Sequence, residues 1–211
     1  MLISVDSLRA DRLPAYGYDR VKTPGIDRLA ADGVVFERAF SHVPQTLPAA
    51  ATLLTGRLPF DTGVRDSVGF TVPDGERLLP EMLRDRGYST AAIVSSFLLR
   101  KETGISQGFS LFDASLPVVD DRVRALRRDP LDAERAAEHW LESVGGQRAF
   151  LFLHLDGPRP PYADVALKPD ATPPAASSGQ LSSYDSTIAN IDEVVDRLVR
   201  YLKTHQLYDQ S

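Results

Sequence analysis

Several polar residues stand at the ends of apolar segments, where a folded sheet would present them to a ligand. Asp6 follows the apolar run Leu2–Val5, and His154 lies near the end of the run 150–155. In open α/β sheets, ligands bind at the carboxyl ends of the strands. A carboxylate suits calcium, magnesium or manganese, and an added imidazole suits zinc. By residue type alone, Asp6 could equally cap a helix or merely end a strand, and His154 could be a hydrogen-bonded core histidine.

The composition excludes several kinds of chemistry. The sequence has no cysteine, so disulfides, thiolate metal sites and a cysteine nucleophile are excluded. The formal net charge of −5 argues against a nucleic-acid partner, because phosphate binding needs a basic surface. No apolar run reaches the roughly 18 residues of a membrane-spanning helix. The first residues lack the basic segment of a signal peptide. The cellular compartment is left open.

The elements that must position these residues alternate along the chain. Thr23, Pro24 and Gly33 predict the N-cap, the first residue and the end of one helix. By residue type alone, Thr46 could be the N-cap of a second helix, which would start at Leu47-Pro48. The alternation predicts an α/β fold with a mostly parallel sheet sandwiched by helices. The predicted strands are 2–5, 34–36, 90–94 and 150–155, and the predicted helices are 24–33, 49–54, 78–86, 131–144 and 188–202.

Two segments show no clear period and are predicted to be surface excursions. Residues 157–183 contain six prolines and few large apolar side chains. They predict a long mobile loop that limited proteolysis should cut first. Residues 116–130 are charged, and their arginines are expected on a solvated helix face: Arg122, Arg124, Arg127 and Arg128.

The order of the motifs resembles that of bacterial sulfatases in the alkaline phosphatase superfamily. The opening Ile3-Ser4-Val5-Asp6-Ser7-Leu8-Arg9-Ala10-Asp11 is similar to the strand that delivers a metal-binding aspartate in that family. Residues 46–56, Thr-Leu-Pro-Ala-Ala-Ala-Thr-Leu-Leu-Thr-Gly, are similar to its nucleophile motif, Cys/Ser/Thr-x-Pro-Ser-Arg/His followed by Leu-Leu-Thr-Gly. Further matches occur in the family's order at 16–18, 23–30, 33–36, 78–91, 108–109, 112–113 and 154–162. A single Leu-Leu-Thr-Gly would be weak support, whereas ordered matches over nearly the whole chain are specific.

The resemblance implies a metal-dependent hydrolase of sulfuric or phosphoric esters. Asp6 would bind a divalent cation (calcium, magnesium, manganese or zinc), and Thr46 would be the nucleophile. No formylglycine is expected, since Thr46 is neither cysteine nor serine. His154 and Arg159 would bind the substrate, with Arg159 standing where the family has a histidine. The substrate would be a small-molecule or glycan anionic ester. Asp6 and Thr46 should then lie at the same edge of one sheet, close enough to share a cation or one water.

Two departures from the family pattern leave a second interpretation of the function open. Ala49 replaces a serine, and Ala50 replaces the arginine or histidine that contacts the nucleophile and the anionic group. Losing such a donor removes about 2–4 kcal/mol of transition-state stabilisation. The alternative is a non-catalytic sulfatase-fold pseudoenzyme that binds an anion or a partner protein. A nucleotide-binding α/β domain is disfavoured, since the sequence has no glycine-rich phosphate loop. Arg65-Asp66 either resembles a near-site segment or forms a surface salt bridge.

Residues 1–211 are expected to be the N-terminal part of a sulfatase-like domain. Residues 207–211 follow the last predicted helix and are a usual lead-in to a strand, so the sheet is expected to be truncated there. In the family, the next strand ends in an Asp-His or Asp-Asn pair that supplies further metal ligands. One carboxylate and one hydroxyl hold a hard cation weakly. Residues 1–211 alone are therefore expected to be inactive toward aryl sulfates and phosphate esters.

Overall fold

Four parallel strands form the central sheet of the computed structural model, which describes residues 1–117, 127–158 and 183–211. The order of the strands is β1-β4-β2-β3. Because all pairs are parallel, every strand ends at the same edge of the sheet. The predicted α/β fold with a mostly parallel sheet is confirmed. The strands are β1 (Leu2–Val5), β2 (Ser89–Val94), β3 (Leu111–Asp113) and β4 (Ala149–Leu155).

The helices follow the predicted alternation closely. Gly56 ends the second helix in the left-handed conformation, with a φ of 69°, which glycine adopts without steric strain. None of the helices in the described ranges is long and apolar enough to cross a membrane. The helices are α1 (Pro24–Asp32), α2 (Thr46–Thr55), α3 (Pro59–Thr62), α4 (Leu79–Arg84), α5 (Pro130–Val144) and α6 (Ser183–Thr204).

The chain divides into two compact units. The first unit comprises Met1–Asp6 and Arg38–Asp156, and it contains the sheet with α2, α3, α4 and α5. The second comprises Ser7–Glu37 and Gly157–Ser211, and it contains α1 and α6. Each unit brings together segments that are far apart in sequence.

Helix α2 packs on the sheet of the first unit. Its residues Leu47, Ala51 and Leu54 are buried in one apolar cluster with Val94 of β2 and Phe152 of β4. Helix α5 also packs against β2 and β4. Strands covered in this way must be apolar on both sides, which explains why the β4 sequence is a nearly continuous apolar run.

Helices α1 and α6 pack against each other in the second unit. A Cβ built on Gly25 would lie 2.8 Å from the Asp196 Cβ, so the close approach of the two helices requires glycine. The Asp192 carboxylate of α6 accepts hydrogen bonds from the backbone N–H groups of Gly25, at 3.1 Å, and Ile26, at 2.8 Å. The predicted N-cap residue Thr23 occupies its expected place but makes no side-chain capping bond. The first turn of α1 is therefore capped by α6.

The predicted strand 34–36 is wrong. Val34 and Phe36 are 80% and 72% exposed, and the segment forms no strand. Their residue types favour a strand, but a strand also needs a neighbour to pair with, and the sheet of the described residues does not include this segment. The Phe36 carbonyl instead accepts a hydrogen bond from the Tyr16 hydroxyl at 3.0 Å.

The two predicted excursions fall largely outside the described residues. Residues 118–126 of the first and 159–182 of the second lie there, so the mobility expected for 157–183 stays a prediction. Ser183, the last residue of the predicted loop, begins α6.

Candidate active site

At the carboxyl edge of the sheet, the side chains of Asp6 and Thr46 are in contact. Asp6 directly follows β1, and its backbone N–H donates to the Leu155 carbonyl of β4 at 3.0 Å. Thr46 is the first residue of α2, and its Oγ1 donates to Asp6 Oδ2 at 2.8 Å. The expectation that the two residues lie close together at one sheet edge is confirmed. Their proposed chemical roles remain predictions.

Local contacts hold the N-terminus of α2 in place. Gln45, with φ −115° and ψ 142°, is the N-cap residue, so the alternative interpretation of Thr46 as the helix cap is wrong. The hydroxyl of Thr46 is turned to Asp6 instead. The Leu47 N–H donates to the Ser67 hydroxyl at 3.2 Å, and the Gln45 amide donates to Asp66 Oδ2 at 3.3 Å. The segment that follows Arg65 therefore lies beside α2, as the resemblance implied for Asp66.

Ala50 faces the interior of the first unit. It is buried and belongs to the apolar cluster beneath α2. A charged side chain at this position would have to leave the cluster to reach Thr46. Position 50 of α2 thus supplies no cationic group.

His154 lies inside the sheet beside β1. Its side chain is buried, and its Nδ1 lies 3.3 Å from the Ser4 hydroxyl on the neighbouring strand. The ring also packs against Phe152, with centroids 6.1 Å apart. These contacts fit the interpretation of His154 as a hydrogen-bonded core histidine. Its role in substrate binding stays a prediction. Arg159, the other predicted substrate-binding residue, lies outside the described residues.

Two ion pairs at the carboxyl edge of the sheet were not predicted from the sequence. Asp156 directly follows β4, and its Oδ2 lies 3.0 Å from Nε of Arg127. The adjacent Arg128 pairs with Asp113 at 2.7 Å. The expected solvated helix face is wrong for these two arginines, because they precede α5 and each reaches a carboxylate. Asp156 could have been found by the argument that found Asp6, since both residues end an apolar strand.

Asp6 and Thr46 fit a hard divalent cation in the kind of donor they offer, since both present oxygen atoms. Across the ranges that the structure describes, no group of three or more histidine, cysteine, aspartate or glutamate side chains is placed to hold a metal ion. A complete metal site would therefore need ligands in addition to these two.

Comparison with known proteins identifies the family of the chain. A family model described as Sulfatase matches residues 1–211. Over 101 residues the chain is 37% identical to human N-acetylgalactosamine-6-sulfatase, which covers 42% of this chain and 19% of that protein. Over 103 residues it is 36% identical to mouse steryl-sulfatase, covering 44% of this chain and 16% of that protein. The matched region is thus less than a fifth of each relative.

Solved structures show the same fold over almost the whole chain. The phosphonate monoester hydrolase of Agrobacterium radiobacter superposes with a TM-score of 0.76 at 21% identity, covering 99% of this chain and 60% of that one. A putative sulfatase from Bacteroides fragilis gives 0.73 at 22% identity, covering 99% of this chain and 59% of that one.

Proposed function

The chain belongs to the sulfatase family, and from that premise we propose that it carries the nucleophile of a metal-dependent hydrolase of sulfuric or phosphoric esters. The observation that supports this most directly is the 2.8 Å hydrogen bond from Thr46 Oγ1 to Asp6 Oδ2. It joins a hydroxyl that can attack an ester to a carboxylate that can orient it. Both lie at the edge of a parallel sheet where ligands bind.

Thr46 supplies the attacking oxygen in this proposal. Asp6 orients Oγ1 by accepting its hydrogen bond. Attack forms a bond from Oγ1 to sulfur or phosphorus and breaks the ester bond, and the alcohol leaves with the proton that Oγ1 gives up. Water then hydrolyses the ester on Thr46, which releases sulfate or phosphate and restores the hydroxyl. A divalent cation (calcium, magnesium, manganese or zinc), when bound, lowers the pKa of the hydroxyl and neutralises charge on the transferring group. The threonine hydroxyl acts without conversion to formylglycine.

The position of Thr46 on its helix favours an anionic substrate. It opens a helix of ten residues, and a helix N-terminus carries partial positive charge. The names of the relatives point to the same class, since they describe an N-acetylgalactosamine-6-sulfatase, a steryl-sulfatase and a phosphonate monoester hydrolase. The proposed substrate is a small-molecule or glycan anionic ester.

A second function is favoured by the burial of Ala50. The chain would then be a non-catalytic sulfatase-fold domain that binds an anion or a partner protein. The family places an arginine or histidine at this position, whereas here the residue is part of the apolar cluster. Turnover that depends on Thr46 decides between the two functions.

The test uses the full protein that the reading frame encodes, and calcium, magnesium, manganese and zinc are added in turn. Hydrolysis of a sulfate ester, a phosphomonoester and a phosphodiester is measured. Thr46→Ala is expected to reduce kcat about a thousandfold or more, because it removes the nucleophile. Asp6→Asn is expected to raise the cation concentration needed for the half-maximal rate, because it removes a charged oxygen ligand.

Thr55→Ala is the matched control. Thr55 lies in the last turn of α2, where its hydroxyl donates to the Ala51 carbonyl at 2.7 Å. Loss of the Thr55 hydroxyl should leave kcat unchanged. Hydrolysis that survives Thr46→Ala, or no hydrolysis with any cation, contradicts the proposed function and favours the non-catalytic domain.

A further inference from the structure

The segment Arg127-Arg128 crosses the ends of the strands at the carboxyl edge of the sheet. Arg127 forms an isolated antiparallel bridge with Ser96, which closely follows β2. The Arg128 N–H donates to the Ser95 carbonyl at 3.0 Å. The backbone is therefore attached at the end of β2, in the middle of the sheet.

From this attachment the two arginines reach different strand ends. Arg127 pairs with Asp156, which follows β4, and β4 is the neighbour of β1. Arg128 pairs with Asp113, the last residue of β3, which is at the far side of the sheet order. Both pairs are substantially buried, with side-chain exposures of 23% for Arg127 and 12% for Arg128. The arginines are thus a matched pair that differs in distance from β1.

The register of the sheet places the partner of Arg127 beside Asp6. Val5 lies opposite Leu155, so the next positions on the two strands are Asp6 and Asp156. Neighbouring strands are about 5 Å apart. Side chains alternate along a strand, and Leu2 and Phe152 each precede one of these aspartates by four residues. Phe152 belongs to the cluster under α2, and Leu2 packs against that cluster. Continued alternation points Asp6 and Asp156 to the face on which Thr46 lies.

A cationic side chain beside Thr46 would stabilise an anionic ester in addition to a divalent cation, and Ala50 provides none. We propose that Arg127, held in place by Asp156, binds the sulfate or phosphate oxygens of the ester that Thr46 attacks. The guanidinium has five N–H donors in a planar arrangement that suits these oxygens, and the ion pair with Asp156 fixes its orientation. Asp156 is a positioning residue in this scheme. The inference rests on the proposed function for the location of the ester, while its evidence is the placement of Arg127.

The experiment measures equilibrium binding of inorganic sulfate and inorganic phosphate by titration calorimetry at a fixed concentration of divalent cation. Arg127→Gln is expected to weaken the binding of at least one anion about tenfold or more, because it removes a charged donor. Arg127→Lys should recover part of the affinity, since it restores the charge without the planar donor set. Arg128→Gln is the control, and it should lower thermal stability at least as much as Arg127→Gln while leaving the affinity unchanged.

Equal affinity in the wild type and in Arg127→Gln overturns the inference, as does the absence of measurable binding of either anion by the wild type. Equal loss in the two glutamine variants also overturns it, because both ion pairs would then act only through the fold. Thr46→Ala separates this outcome from the fate of the proposed function. If hydrolysis depends on Thr46 but anion affinity does not depend on Arg127, the proposed function stands and this inference fails. If anion affinity depends on Arg127 but no hydrolysis depends on Thr46, the proposed function fails and the anion site stands.

Discussion

Two carboxylates, one in each compact unit, accept hydrogen bonds from different kinds of donor. Asp6 accepts from the hydroxyl of Thr46 at the edge of the sheet. Asp192 is buried and accepts from the backbone N–H groups of Gly25 and Ile26. A hydroxyl at a sheet edge can turn to a cation or a substrate, whereas backbone N–H groups in a helix turn cannot. The difference indicates a structural role for Asp192, and it fits the chemical role proposed for Asp6.

Replacing each carboxylate by alanine should separate these two roles most strongly. Asp192→Ala removes the acceptor of two backbone N–H groups in the first turn of α1, and we expect it to lower the free energy of unfolding by about 3 kcal/mol. Asp6→Ala removes the acceptor of a side-chain hydroxyl that water can replace, rather than of backbone N–H groups in a helix turn, and we expect a smaller loss, of about 1 kcal/mol. Urea unfolding measures both changes, and hydrogen exchange at the Gly25 and Ile26 amides reports on α1.

Exchange at those two amides should accelerate in Asp192→Ala and stay unchanged in Asp6→Ala. Similar destabilisation by the two variants, or protected amides in Asp192→Ala, would remove the distinction between the carboxylates.

A smaller effect is expected from filling the contact between α1 and α6. In Gly25→Ala the new Cβ would lie 2.8 Å from the Asp196 Cβ and backbone N and 2.9 Å from the Asp192 carbonyl oxygen. Backbone atoms cannot yield locally, so α1 must shift, at a cost of about 2 kcal/mol. Gly75→Ala is the matched control in the first unit, because nothing lies within 4 Å of its Cβ position. A stability of Gly25→Ala equal to that of Gly75→Ala would show that the helices separate without strain.

The contact between Asp6 and Thr46 could be predicted because the sequence around each of the two residues carried a recognisable pattern. An apolar run closed by a carboxylate indicated a strand end, and the family pattern placed Thr46 at the start of the next motif. Parallel strands then bring such ends to one edge. The strand predicted at 34–36 had a local signal as well, but its formation depends on a pairing partner that the sequence does not reveal.

The capping of α1 by Asp192 could not be predicted, because the donor and acceptor are 166 and 167 residues apart. An aspartate within a helical stripe is expected on the solvent side, and only the packing of α6 on α1 turns it to backbone donors. The same holds for Arg127. Its charge and its acidic neighbours indicated a solvated face, and only the sheet order brings it to Asp156.

The pH dependence of stability gives the smallest and most selective test of the comparison. Burial raises the pKa of Asp192 above its ordinary value; Asp196 and Asp27 raise it further, and the N–H bonds from Ile26 and Gly25 act in the opposite direction. The native state therefore binds a proton at pH values where the unfolded state, with a carboxyl pKa of about 3.9, does not. This contribution stabilises the fold as the pH falls through the folded-state pKa, and it is lost as the pH rises through it.

Other carboxylates act with the opposite sign, so the signal must be read as a difference. Hydrogen bonds from Lys203 and Tyr208 lower the pKa of Asp32, and its contribution is lost as the pH falls. Asp192→Asn keeps one acceptor oxygen and does not titrate. Subtracting its free energy of unfolding from that of the wild type therefore removes the contribution of Asp32, which is the same in both proteins. The difference should grow in favour of the wild type between neutral pH and about pH 4. Urea midpoints at several pH values measure it. A difference that shrinks as the pH falls would mean that the backbone N–H bonds outweigh burial, and that Asp192 is held as a charged cap.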